Sequence, residues 1–198
     1  MTEQAQQPEM QRTFIALDLP MAVQQGLAAW GLHALTDPAL RPVRPEALHL
    51  TLAFLGASDP ERVKRLTAVI EALAVEPVAL AFKPQPAARP RRMPRFIAVE
   101  VDSEGVERLW ARLQADLVAS GLADPYEGRF WPHVTVARVR SRSGASGKPR
   151  RVLSTPEALP AALLEPFDGV RVSLYRSDLM PRGAEYVSLA RKDLPPTA

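Results

Sequence analysis

The sequence contains no cysteine, which excludes a disulfide framework and any site in which thiolates bind a metal ion. It has no run of about 18 apolar residues, the length that a membrane-spanning helix needs. Residues 1–10 are polar and lack the apolar segment of a secretion signal. These absences predict a cytoplasmic chain without a membrane anchor. With 198 residues and 46% hydrophobic content, the chain is long enough to bury a core.

The pattern of apolar residues predicts a mixture of strands and helices. Strands are predicted over 12–19, 48–56, 78–84, 95–101, 130–140, 170–179 and 184–194. Helices are predicted over 20–35, 59–74, 103–120 and 154–164, with a loop over 36–47, a flexible basic loop over 141–151 and a turn at Pro181 and Gly183. Mixed elements with neighbouring antiparallel strands indicate an α+β fold.

We expect one domain over residues 11–194, built as two closely packed lobes. A disordered head over 1–10 and a tail over 195–198 flank it. No internal repeat with a period of about 20 to 50 residues is present, which excludes a solenoid.

Basic residues are concentrated in two groups, although the net charge is only +3. The first group is Arg89, Arg91, Arg92 and Arg95, and the second is Arg138, Arg140, Arg142, Lys148, Arg150 and Arg151. Such groups favour a polyanionic partner, because paired phosphates release counterions. The alternative is that both groups are solvated loops, as most charged runs are.

Two predicted strands repeat one polar pattern. His49 and Thr51 in LHLTLAFLG are matched 84 positions later by His133 and Thr135 in FWPHVTVAR. Side chains at i and i+2 of a strand project to the same face, so each histidine shares a face with its threonine. Hydrogen-bonding groups on such a face need polar partners or a ligand. The two segments together predict a phosphate pocket.

A lone histidine in a strand is more often a structural residue than a catalytic one. The catalytic interpretation of His49 and His133 therefore depends on the repetition of the His-x-Thr pattern. The chain has three histidines, and two of them have threonine two positions later. The third, His33, lies in a predicted helix without such a neighbour, and we expect no catalytic role for it.

These segments resemble the two-histidine (2H) phosphoesterases, and within them the RNA 2′,3′-cyclic phosphodiesterases once called 2′-5′ RNA ligases. RTFIALDLP is similar to the first strand of that family, and LYRSDLMPRGAEYVSL is similar to its last hairpin. LHLTLAFLG and FWPHVTVAR are similar to its two HxTx motifs, whereas AARPRRMPRFIAVEV matches only loosely. The resemblance implies two pseudo-symmetric lobes of antiparallel sheet and helices around a central cleft.

The resemblance also implies a role for each site residue. His49 gives a proton to the departing O3′ of a cyclic phosphate, and His133 removes one from the attacking water, which leaves a 2′-phosphate. Thr51 and Thr135 bind the non-bridging oxygens, and Arg138 neutralises their charge.

Two further residues of this assignment have competing interpretations. Arg138 and His133 are an odd number of positions apart, so an ideal strand would send them to opposite faces unless it twists or bulges. Phe14 resembles the family's aromatic residue at the base-binding edge, where a ring can stack on a nucleobase. An ordinary core position explains Phe14 equally well.

The sequence offers no cofactor motif. It has no P-loop, no GxGxxG and no carboxylate at metal-ligand spacing from either histidine, so we expect neither cofactor nor metal. The expected partner is RNA with a 2′,3′-cyclic phosphate end, because DNA lacks the required 2′-oxygen, and we expect the enzyme to be a monomer.

Three other functions stay open at this point. A sister enzyme would act on a small cyclic phosphate, such as an ADP-ribose cyclic phosphate, or on a 2′-5′ oligonucleotide. A non-catalytic RNA-binding protein would use the arginines for binding and the histidines as structural hydrogen-bonders. Ligation of a cyclic end to a 5′-hydroxyl, the reverse of hydrolysis, would be a side activity.

Overall fold

The computed structural model describes residues 9–141, 147–180 and 183–197. Within these ranges the helices are α1 (Met21–Ala34), α2 (Pro60–Ala72) and α3 (Glu104–Ala119), with 3-10 turns at Pro45–Ala47 and Ala161–Leu163. The strands are β1 (Gln11–Asp18), β2 (Leu40–Pro42), β3 (His49–Ser58), β4 (Ala79–Phe82), β5 (Ala87–Arg89), β6 (Phe96–Asp102), β7 (His133–Val139), β8 (Phe167–Asp168), β9 (Arg171–Met180) and β10 (Gly183–Asp193).

The strands form one antiparallel sheet in the order β10-β9-β1-β3-β7-β6-β4-β8, with β2 against β7 and β5 against β6. It consists of two half-sheets. The first half-sheet is β10, β9, β1 and β3, and the second is β7, β6, β4 and β8 with the short β2 and β5. They meet where Leu50 of β3 pairs with Val134 of β7. The predicted α+β fold with two pseudo-symmetric lobes is confirmed.

Helices cover one face of the sheet and create the core. α2 packs against β9 and β10 of the first half-sheet, whereas α1 contacts β7 and α3 contacts β4 of the second. Leu50 and Val134 are fully buried at the centre of this core. The flanking histidines and threonines are half-buried, because strand alternation sends them to the face that the helices leave open.

Local sequence signals set the helix boundaries. The Asp59 carboxylate accepts a hydrogen bond from the Arg62 N–H at 2.7 Å and caps α2, which Pro60 begins. Ser103 caps α3 in the same way, through the Val106 N–H at 3.1 Å. Gly121, with φ of 63°, follows the end of α3. The predicted starts of both helices are confirmed.

Several predicted boundaries are wrong. Residues 36–47 include β2 and a 3-10 turn, and β5 lies between the predicted strands 78–84 and 95–101. The strand predicted to close at Gly56 runs on to Ser58, because Gly56 takes a φ of 71° within a bulge. The helix predicted over 154–164 is reduced to the turn Ala161–Leu163, since Pro160 cannot donate a helical hydrogen bond.

Some predictions fall on residues outside the described ranges. These predictions concern most of the head (residues 1–8), the centre of the basic loop (residues 142–146, including Arg142) and the turn residue Pro181. Within the described ranges, none of the helices combines the length and the hydropathy that crossing a bilayer requires.

Candidate active site

A cavity of 510 Å³ lies on the helix-free face, where the two half-sheets meet. All six residues predicted for the site line it: Phe14, His49, Thr51, His133, Thr135 and Arg138. His33 lies on α1, the predicted helix, and its exposed side chain does not line the cavity. The structure thus brings together two motifs that are 84 positions apart in the chain.

The strand pairing explains how the two motifs share this cavity. Leu50 and Val134 are direct partners in an antiparallel pair, so both point to the core. Their neighbours point to the opposite face. By the same register His49 lies across from Thr135, and Thr51 lies across from His133. Each histidine therefore faces the threonine of the other motif.

Both imidazole rings are held by the same local hydrogen bond. His49 Nδ1 lies 2.9 Å from the carbonyl oxygen of Ala47, and His133 Nδ1 lies 2.8 Å from that of Trp131. A carbonyl oxygen can only accept, so in each ring Nδ1 carries the hydrogen and donates it. In the neutral rings Nε2 then has a free lone pair. The arrangement leaves one Nε2 from each motif for proton transfer.

Aromatic rings surround His49. Its ring centroid lies 4.9 Å from that of Phe14 and 5.2 Å from that of Tyr186, with Tyr175 at 6.4 Å. Burial among these rings lowers the pKa of His49 to about 4, and the positive charge of Arg138 lowers it further. These surroundings therefore favour neutral His49.

His133 has different surroundings. Its ring stacks on Trp131 with centroids 4.0 Å apart and on Phe96 with centroids 5.7 Å apart. Burial lowers the pKa of His133, while the hydrogen bond to Trp131 and the nearby Glu100 carboxylate act in the opposite direction. Glu100 is itself paired with Arg89 at 3.0 Å.

A bulge in β7 brings Arg138 to the cavity. Ile97 of β6 pairs with Ala137 and Ala98 pairs with Thr135, so Val136 is an extra residue in β7. The extra residue reverses the alternation beyond it. Arg138 therefore shares a face with His133, and the expectation from an ideal strand, that the two face apart, is wrong here.

The first motif has a bulge at the equivalent position. Ile15 pairs with Ala53 and Ala16 pairs with Thr51, which leaves Leu52 as the extra residue of β3. The residue five positions beyond the histidine is Phe54 in β3, as it is Arg138 in β7. Phe54 lines the cavity and is 81% exposed.

Two properties expected of one base-stacking aromatic residue, closeness to the catalytic site and an exposed ring, are found in two different residues, Phe14 and Phe54. Phe14 is only 5% exposed and packs on His49, whereas its strand partner Phe54 offers an open ring. Phe54, Tyr186 and Arg41 are among the further residues that line the cavity and were not predicted from the sequence. The equal spacing of Phe54 and Arg138 from their histidines was a signal that could have identified Phe54.

Potential metal ligands are not clustered in the described part of the chain. Neither the two histidines nor other His, Cys, Asp or Glu side chains there form a group of three or more that could hold a metal ion. The cavity instead presents acid–base and hydrogen-bonding groups around a space that can hold an anion.

Two pseudo-symmetric half-sheets, each presenting a His-x-Thr motif to a shared cavity, define the two-histidine phosphoesterase class of fold. The chain belongs to the 2′-5′ RNA ligase superfamily, whose family model matches residues 20–179. The predicted family is therefore confirmed, and with it the prediction that the chain is an enzyme.

Individual relatives extend over nearly the whole chain. The RNA 2′,3′-cyclic phosphodiesterase of Methanocaldococcus jannaschii is 23% identical over 175 residues, which is 88% of this chain and 96% of the relative. A crystal structure of a Thermus thermophilus protein matches with a TM-score of 0.73 and 26% identity, covering 94% of this chain and all of that chain (100%). Escherichia coli LigT in complex with 3′-AMP matches with a TM-score of 0.72 and 25% identity, covering 94% and 99%.

Proposed function

We propose that the chain hydrolyses 2′,3′-cyclic phosphate ends of RNA to 2′-phosphates by acid–base catalysis with His49 and His133. The observation that carries this proposal is the pair of imidazoles on one cavity, each held through Nδ1 so that Nε2 is left for the reaction. The name of the M. jannaschii relative and the nucleotide bound to E. coli LigT support the substrate class.

The proposed reaction is an in-line displacement at phosphorus. Nε2 of neutral His133 takes a proton from the attacking water as its oxygen bonds to phosphorus. The bond from phosphorus to O3′ breaks, and Nε2 of protonated His49 gives its proton to O3′. The product carries a 2′-phosphate and a 3′-hydroxyl. Proton exchange with solvent then returns both histidines to their starting states.

Three other cavity residues have proposed roles in holding the phosphate. The hydroxyls of Thr51 and Thr135 lie on the same strand face as the histidines and can donate to the non-bridging oxygens. The guanidinium of Arg138 reaches this face through the bulge at Val136 and pairs with the negative charge.

The proposed role of His49 as proton donor depends on the bound substrate. Burial lowers the pKa of His49 to about 4, so its protonated form is rare near neutral pH. A phosphate anion in the cavity favours the imidazolium and raises that pKa. The substrate itself thus helps to protonate its acid catalyst.

Ligation would use the same groups. If a ribose 5′-hydroxyl attacks the cyclic phosphate in place of water, two RNA ends are joined by a 2′-5′ bond, and we propose this as a side activity. Cytoplasmic location and a monomeric state stay predictions from the sequence.

Product identification on a substrate panel tests the proposal. The panel contains 2′,3′-cyclic mononucleotides, cyclic-ended oligoribonucleotides, an ADP-ribose cyclic phosphate and a 2′-5′ oligonucleotide. We expect turnover of the cyclic RNA ends to the 2′-phosphate only, with the His49→Ala variant as the inactive control. A 3′-phosphate product would contradict the assigned leaving group, and turnover of only the ADP-ribose compound or the 2′-5′ oligonucleotide would favour the sister activity.

A further inference from the structure

A groove beside the active-site cavity is lined by five arginines. This arginine groove consists of Arg41, Arg95, Arg138, Arg140 and Arg150, with Val139, Ser141, Gly147 and Pro149 between them. Arg41 and Arg138 line both the groove and the cavity, so the two spaces are adjacent. The groove combines residues from both basic groups of the sequence and adds Arg41, which belongs to neither.

The backbone fixes these arginines close together. Arg41 of β2 is the direct strand partner of Arg138 in β7. The Val139 N–H donates to the Arg95 carbonyl at 2.8 Å, and the Arg150 N–H donates to the Arg140 carbonyl at 2.8 Å. Like charges directly opposite each other across a strand pair are destabilising. An anion bound between them would relieve that cost.

Carboxylates do not neutralise the groove in the described part of the chain. No Asp or Glu lines it, and none of its five guanidinium groups takes part in an ion pair among the described residues. Other arginines do form such pairs, including Arg89 with Glu100 and Arg176 with Asp178. The positive charge of the groove is therefore available to a ligand.

We infer that the arginine groove binds the phosphodiester backbone of the RNA strand that precedes the cyclic end. This inference rests on the proposed function, which puts the cyclic phosphate in the cavity. Because that phosphate is at the 3′ end, the rest of the strand extends in the 5′ direction and must leave the cavity. The side of the cavity formed by Arg41 and Arg138 borders a surface suited to phosphates, since guanidinium groups match phosphate oxygens.

The test separates the groove from the catalytic cavity. Arg95 and Arg150 line the groove but not the cavity, so the double variant Arg95→Gln/Arg150→Gln removes two charges without altering a catalytic residue. The matched control is Arg108→Gln/Arg112→Gln on α3, which removes two exposed charges from the helix-covered face. We would measure kcat/KM for 2′,3′-cyclic AMP and for an oligoribonucleotide ending in the same cyclic nucleotide, between about 50 and 200 mM salt.

The wild type should prefer the oligonucleotide, and this preference should decrease with salt. The groove variant should lose on the order of 10-fold in kcat/KM for the oligonucleotide at low salt while keeping its activity on cyclic AMP. Its salt slope, the change in log kcat/KM with log salt, should fall by about 1.4, because each phosphate contact on a single strand contributes about 0.7. The control variant should match the wild type on both substrates.

Other outcomes would overturn the inference. Equal salt slopes for both substrates in the wild type, with cyclic AMP turned over, would reject the groove and leave the proposed function intact. Oligonucleotide turnover can also be measured in the presence of an acidic peptide or of a non-cyclic RNA of equal charge. If the peptide inhibits turnover as strongly as the RNA does, RNA is rejected as the particular ligand of the arginine groove. No turnover of either substrate would instead reject the proposed function.

Discussion

At the scale of single residues, the central prediction is that both histidines are needed for catalysis. Replacing His49 or His133 by alanine should lower kcat by roughly 100-fold or more, because each removes one obligatory proton transfer. Steady-state kinetics on a cyclic-ended oligoribonucleotide measures the loss, and thermal unfolding checks that both variants are folded. His33→Ala, at an exposed position on α1, is the matched control. Near wild-type activity in either site variant would contradict the assignment.

The pH dependence of the free enzyme follows from the lowered pKa values of the pair. Burial lowers the pKa of His49 to about 4 and also lowers that of His133 from its ordinary value of 6.5. Below the lower pKa both rings are charged and the base is lost, and above the higher pKa both are neutral and the acid is lost. The profile of kcat/KM should therefore be bell-shaped with its maximum below pH 6.5.

Kinetics between about pH 4 and 9 would check this profile. Both limbs of the kcat profile should lie at higher pH than those of kcat/KM, because bound phosphate favours the imidazolium forms. A kcat/KM that still rises at pH 8 would show that the free histidines titrate well above the range that their burial implies.

The catalytic candidates could be identified from the sequence, because both strand alternation and the repeated His-x-Thr pattern can be recognised in the order of the residues alone. Placing Arg138 correctly required a bulge, which depends on the pairing of β6 with β7 and has no clear signature in the residues themselves. The sequence left Phe14 between a base-stacking ring and a core residue, and the open ring belongs to its strand partner Phe54. Which of two paired aromatics is open depends on β9 and β10, whose Tyr175 and Tyr186 cover Phe14.

At the scale of secondary-structure elements, Gly56 sets the path of β3 beside the cavity. Its φ of 71° lies in the left-handed region, where residues other than glycine have a higher conformational energy. A Cβ added at this position would meet no atom within 4 Å, so a side chain would cause no steric clash. Gly56→Ala should therefore destabilise the protein by about 1 kcal/mol through backbone strain alone.

Gly105→Ala provides a control of opposite sign. Gly105 lies in the first turn of α3, and a Cβ there would make only ordinary contacts, at 3.5 Å from Ser103 and Val78. Alanine in a helix should stabilise by about 0.5 to 1 kcal/mol. Urea unfolding measures both free energies. Equal effects of the two substitutions would show that strain at Gly56 is not the cause.

The accuracy of the predicted elements depended on the type of signal. The starts of α2 and α3 could be predicted from the sequence, because the residues that cap them, Asp59 and Ser103, act on the chain next to them. The short strands β2 and β5 have little alternation of their own and exist because β7 and β6 provide hydrogen-bonding partners. Pro160 is a local signal against the helix predicted over 154–164, because it cannot donate a helical hydrogen bond.

At the scale of the whole molecule, the proposed mechanism requires no metal ion. Turnover of a cyclic-ended oligoribonucleotide should therefore survive dialysis against EDTA without loss, because the histidines and not a metal-bound water transfer the protons. The measurement compares kcat/KM before and after chelation, with metal content determined on the same samples. Loss of activity that a divalent ion restores would reject the mechanism.

The pairing of β1 has a consequence for how the protein folds. Phe14 of β1 pairs with Tyr175 of β9, which is 161 positions later, and all of the second half-sheet lies between them. Closing so long a loop is entropically costly, so we expect slow folding with this contact formed late. During synthesis one edge of β1 stays unpaired until β9 has been made, because β9 is the strand that pairs with that edge. An unpaired strand edge can associate with other chains. The interval before residues 171–180 emerge is thus the period when a nascent chain is most vulnerable to aggregation.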